Sequence, residues 1–110
     1  MGSHSLTKEE RLCKKKDFVN LKRNGRRYET RDMVIVTKPN GVGIRRIGII
    51  VSKKIGKATK RNRIKRLFRE CFRQNKDIFP ESHDILFIAK RDISGLKMGD
   101  IKVQIEGIIW

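Results

Sequence analysis

Hydrophobic and polar positions along this chain change period several times, and each change marks an element. Leu6 to Gly25 starts irregularly and turns helical over Asp17–Arg23, where Phe18 and Leu21 lie three apart on one face. Gly25 is placed to stop that helix. Tyr28 to Lys38 carries the β-rich run Met33-Val34-Ile35-Val36-Thr37 and reads as one strand. Pro39-Asn40-Gly41 signals a turn. In Arg45 to Ser52, Ile47, Ile49 and Val51 alternate with Gly48, Ile50 and Ser52, a second strand. Joined by so short a loop, the two strands are expected to pair antiparallel. The strongest helical pattern follows, from Thr59 as N-cap to Asn75. Ile64, Leu67, Phe68, Cys71 and Phe72 make one continuous apolar stripe there. Pro80 marks a loop, and Asp84–Ala89 is a short, continuously apolar strand suited to a central position. The last segment stays open. Ile101-Lys102-Val103-Gln104-Ile105 alternates like a strand, while Ile101, Ile105, Ile108 and Ile109 also share a helical face. Its β-branched residues favour strand, and Gly107 weakens both readings. Helix, strand, strand, helix, strand and a terminal element imply a single-domain, two-layer α+β sandwich.

Composition narrows the class. At 110 residues one domain is expected, and 37% apolar content supplies a modest core. No apolar run approaches the ~18–20 residues of a membrane span, so a transmembrane protein is excluded. Residues 1–5 (Met-Gly-Ser-His-Ser) read as an expression-tag remnant, leaving 6–110 as the domain, and no secretory leader is recognisable. Cys13 and Cys71 form neither a disulfide framework nor a zinc pattern, which fits a reducing, cytoplasmic setting.

Charge changes the picture most. The net charge is +16, and residues 53–73 hold ten basic groups against one acid, Glu70. Residues 74–110 are nearly neutral, with five basic and six acidic groups. Solubility needs no such concentration, whereas a polyanion does. An interfacial membrane helix would also be basic and amphipathic, but the neighbouring strands need this helix's apolar stripe for a core. Nucleic acid is therefore the favoured partner. Opposite the stripe lie Lys60, Arg61, Asn62, Arg63, Lys65, Arg66, Arg69 and Arg73. Their like-charge neighbours repel by about 0.2–0.5 kcal/mol per pair, a cost that stability alone does not explain. Asn62 is either a phosphate or base contact or an ordinary first-turn polar residue. From pattern alone Phe18 is core, with a base-stacking platform as the alternative. Tyr28 and Arg31 are read as a strand start that either flanks the same groove or is simply solvated. No catalytic constellation emerges: His83 is isolated, acids are scattered, and Gly41-Val42-Gly43 lacks the rest of a phosphate loop.

The run from Ser52 to Glu70, with Arg61-Asn62-Arg63, Lys65-Arg66 and Arg69 at its centre, resembles the signature of the bacterial ribonuclease P protein subunit. Arg11-Leu12, Asp17-Phe18, Gly25, Arg46–Val51 and Asp84–Ala89 extend the resemblance over about residues 9–92. It implies a sandwich of order α-β-β-α-β-α, a terminal helix, and a left-handed crossover through the basic helix, against the usual right-handed rule. It also implies a protein that assembles with a catalytic RNA, which cleaves with Mg2+, and that helps hold precursor tRNA by its 5′ leader. The chain itself would then supply no catalytic residue and no metal site, and would take no small-molecule substrate. Lys53, Lys54, Lys57, Lys60, Arg61, Asn62, Arg63, Lys65, Arg66 and Arg69 match the face towards the catalytic RNA. Arg11, Phe18, Lys22, Tyr28, Arg31 and Val36 match the leader cleft, which turns Phe18 from core to platform. Two departures are Lys22 and Val36, where the family can place aromatics. The rival readings are a ribosomal or RNA-chaperone protein and a self-sufficient nuclease.

Overall fold

The computed structural model describes residues 8–12 and 14–110; residues 1–7, which include the expected tag remnant 1–5, and Cys13 lie outside the described residues. After a 3-10 turn at Lys8–Glu10, the order is α1 (Lys15–Asn24), β1 (Arg26–Glu29), β2 (Met33–Pro39), β3 (Arg46–Ile50), α2 (Ala58–Gln74), β4 (His83–Ala89) and α3 (Met98–Glu106). The expected α+β class holds, with one more strand than expected. The segment read as a single strand from Tyr28 is a hairpin, in which Arg26–Glu29 runs antiparallel to Val34–Thr37. Its turn has no glycine or proline. The Thr30 amide donates to the Met33 carbonyl at 2.9 Å, and the Met33 amide donates back to the Thr30 hydroxyl at 3.3 Å.

The sheet order is β1-β2-β4-β3. The expected antiparallel pairing of β2 with β3 therefore does not form. β4 lies between them, antiparallel to β2 and parallel to β3. The reason is burial: β4 is apolar on both faces, and only an interior position covers Ile85 and Phe87 on one side and Leu86 on the other. The loop after β2 instead docks on β4. The Asn40 side chain donates to Asp84 at 3.0 Å, and Arg46 donates to both Asp84 oxygens at 2.7 and 3.0 Å. β3, α2 and β4 form the crossover unit between two parallel neighbours.

The larger core lies between the sheet and the helices α2 and α3. Met33, Ile35, Ile47, Ile85 and Phe87 meet Ile64, Phe68, Cys71, Phe72, Ile101 and Ile105. Phe68 stacks on Phe87 with ring centroids 5.0 Å apart. Four of the five predicted stripe residues are buried and Leu67 is half-buried, so the period of 3.6 was informative. The N-cap is Lys57 in place of the expected Thr59, two residues earlier. On the opposite face α1 covers a smaller core of Leu12, Leu21, Val34, Val36 and Leu86. The two-layer reading thus describes the larger core, and α1 adds a layer on the other side. The C-terminal segment is helical, ending at Glu106, and Ile109 leaves the predicted face to stand 90% exposed.

Candidate nucleic-acid interface

α2 has an apolar side that fixes its rotation, and this decides where each cation points. With Ile64, Phe68, Cys71 and Phe72 inward, Arg61, Lys65 and Arg69 take the flank towards β3. Arg63, Arg66, Glu70 and Gln74 take the flank towards α3 and meet Leu67 and Met98 there. Thr59, Asn62, Arg63, Arg66 and Arg69 line a shallow hollow between the flanks.

Lys65 and Arg69 form one wall of a groove of about 500 Å3. Arg11, Leu12 and Phe18 form the other wall, and Ile47-Gly48-Ile49 of β3 the floor. The wall is built locally. The Leu12 amide donates to the Ile47 carbonyl at 2.8 Å, which straps this segment along the β3 edge. Gly48 sets the depth. A Cβ on it would stand 2.6 Å from Phe18 Cε1 and 3.3 Å from Leu12 Cδ1, so only glycine lets the ring approach the strand. Phe18 is half-buried, neither sealed core nor free platform. Sequence reasoning missed Gly48, although a lone glycine inside a β-branched strand is a signal for close backbone approach.

The structure brings together Arg11, Phe18, Lys65 and Arg69, and it joins two surfaces that the sequence reading kept apart. Lys22 follows Phe18 by one turn of α1 and is exposed. Three expected cleft residues lie elsewhere. Tyr28 pairs in register with Ile35 and packs edge-on against Trp110, ring centroids 5.0 Å apart, on the α3 side of the sheet. Arg31 sits in the β1–β2 turn, where it pairs with Asp32 at 3.4 Å. Val36 is 2% exposed, sealed beneath α1 against Leu21. Register explains Tyr28 and Val36: successive strand residues face opposite ways, and α1 closes the face that Val36 occupies, while Arg31 lies outside both strands, in the turn.

The start of α2 is electrostatically uniform. Its first turn has no acid, and its N-cap makes no side-chain hydrogen bond. The dipole of a 17-residue helix adds its positive end to exposed Lys53, Lys54 and Lys57. Among the described residues Lys60 is the one member of the ten-residue set in an ion pair, with Asp92 at 3.2 Å. The Ser94 hydroxyl and amide, with Lys60 beyond them, pull the Asp92 carboxyl down to about 2. Glu70 is neutralised within its own helix: Arg73 and then Gln74 bond its carboxylate, and Arg73 above all holds it below the usual range. No three acidic, histidine or cysteine side chains among the described residues gather into a group able to hold a metal. No described helix is long and apolar enough to cross a membrane.

A small α+β protein with a groove at one sheet edge and a mostly unpaired cationic helix beside it is a definable class. The ribonuclease P family profile matches residues 6–109, and the chain belongs to that family. A ribonuclease P protein component of Syntrophus aciditrophicus (strain SB) is 45% identical over 101 residues, covering 92% of this chain and 85% of that protein. Among solved structures, the RNase P protein from Thermotoga maritima superposes with a TM-score of 0.80 at 31% identity, covering 92% of this chain and 99% of that one. The Staphylococcus aureus RNase P protein gives 0.78 at 34% identity, with 88% and 89% covered. The family resemblance read from the signature run is thereby established, and with it a role as a protein component of ribonuclease P.

Proposed function

We propose that this chain is the cationic adaptor of a ribonuclease P holoenzyme, working in the cytoplasm. Through Lys53, Lys54, Lys57, Arg61, Asn62, Arg63 and Arg66 it binds the catalytic RNA. Through the groove of Phe18, Lys65, Arg69 and Arg11 it holds the 5′ leader of precursor tRNA. The RNA supplies the bond cleavage and the Mg2+ ions. The observation that carries this reading is the groove: a half-buried aromatic laid on a glycine floor opposite two helix cations. Such a site offers a stacking surface and phosphate charges at once, the two requirements of single-stranded RNA.

The test is Phe18→Ala in reconstituted holoenzyme. Losing one stacked base costs about 1–3 kcal/mol, so affinity for precursor tRNA falls while affinity for leaderless tRNA holds. Equal losses for both would make Phe18 a packing residue only. At ~6–10 phosphate contacts, RNA affinity drops by about 10³–10⁵ between roughly 50 and 200 mM salt. Failure to stimulate ribonuclease P RNA at low magnesium would favour the ribosomal or chaperone reading. Cleavage by the RNA-free protein would favour the nuclease.

A further inference from the structure

Ion pairs are unevenly spread over this surface. Among the described residues, Arg31, Arg45, Arg46, Lys60, Arg73, Lys76, Lys90, Arg91 and Lys102 each meet a carboxylate within 4.0 Å. Two stretches are left out almost entirely. One is Lys53–Arg69, whose cations the adaptor reading uses. The other is residues 14–27, with seven basic groups and one acid, Asp17. None of those seven forms an ion pair among the described residues, and the adaptor reading assigns none of them to RNA.

α1 sorts these cations by rotation. Leu21, 1% exposed, faces the sheet and fixes the helix. At 3.6 residues per turn, Lys22 then lies one turn beyond Phe18 and Lys15 one turn before it, where Lys15 borders the hollow on the outer side of the helix. Lys16 and Arg23, seven apart and so about 10 Å along the axis, lie on the side away from the sheet. Between them run Val19, 46% exposed, and Asn20, in a shallow hollow that Lys16 and Arg23 border. A merely solvated helix face mixes both signs of charge, and this one does not.

We propose that the outer side of α1 binds the distal part of the leader, beyond the nucleotides held in the Phe18 groove. The strand leaves the groove past Lys22 and crosses the helix. Lys16 and Arg23 take its phosphates, and Val19 offers apolar surface to a base. This proposal rests on the reading of the groove as the seat of the leader.

The experiment is a leader-length series of precursor tRNAs, bound by reconstituted holoenzymes carrying the wild-type chain, Phe18→Ala, or Lys16→Gln with Arg23→Gln. With the wild-type chain, affinity keeps rising after the groove is filled. The double variant matches wild type for leaderless and short-leader RNA and stops gaining beyond that length. Its salt dependence on long leaders flattens by about 1.4, two single-strand contacts at ~0.7 each. Unaltered thermal melting shows that these exposed substitutions leave the fold intact. The proposal is overturned if the double variant follows wild type at every length. It is equally overturned if the double variant loses as much affinity for leaderless as for long-leader RNA, since its cations would then serve another part of the assembly. Leader dependence that survives Phe18→Ala removes the groove reading and this one with it. Leader dependence lost in Phe18→Ala but untouched in the double variant removes only this extension.

Discussion

The cations of residues 53–69 and those of residues 74–110 have opposite fates. In the first stretch Lys60 alone meets a carboxylate among the described residues. In the second, Lys76 pairs with Glu10, Lys90 with Glu29, Arg91 with Asp32 and Lys102 with Glu106. Three of these four pairs tie segments distant in sequence to one another, Lys102–Glu106 lies within α3, and the set serves the fold. The first set repels itself and is held in place by the apolar side of the same helix. A charge that serves the fold finds its partner inside the molecule, whereas one kept unpaired at a cost has its partner outside.

The sharpest way to break this contrast is from the inside of α2. Phe68→Ala removes the ring stacked on Phe87 and costs about 3–5 kcal/mol, read by denaturant unfolding. RNA binding is then lost through unfolding, although no cation was touched. A loss below 1 kcal/mol would show that the stripe does not hold the helix. A smaller effect follows from Cys71, on the same side. Burial pushes its thiol from 9.0 up to about 11. The unfolded chain therefore releases this proton first. The stability contribution is complete below pH 9.0 and declines by about 1.4 kcal/mol per pH unit towards 11. Alkaline unfolding of wild type against Cys71→Ala isolates it, and identical pH profiles would refute it. The smallest stability effects come from the cations themselves. Arg61→Ala with Arg63→Ala shifts unfolding by less than about 0.5 kcal/mol yet weakens assembly with catalytic RNA and flattens its salt dependence. Lys90→Ala with Lys102→Ala shifts stability as little, because their pairs are partly exposed, but leaves RNA binding unchanged. Equal effects on binding from both double variants would erase the distinction between the two sets.

What was legible in the chain was what local periodicity encodes. Ile64, Phe68, Cys71 and Phe72 announced α2 and its rotation, and Gly25 announced the end of α1. What was not legible depended on distant partners. The β1–β2 turn is secured by Gln104, whose side-chain oxygen accepts from the Thr30 hydroxyl at 2.8 Å and the Asp32 amide at 3.1 Å. The same side chain donates to Asp32 at 2.7 Å, which helps to dock the C-terminal segment as a helix. A pattern split between strand and helix is decided by such contacts, and no short window contains them. Tyr28 was misplaced for the same reason. Its side of the sheet follows from its register with Ile35, and its ring is covered by Trp110.

The sequence by itself determined a basic α+β domain, its charge concentrated on one amphipathic helix, because charge and period survive without knowledge of neighbours. Only the tertiary structure decided that β4 parts β2 from β3, that Val36 is sealed under α1, and that Phe18 shares a groove with Lys65 and Arg69. Burial is non-directional, so an apolar strand does not name its partners until the whole chain competes for the interior.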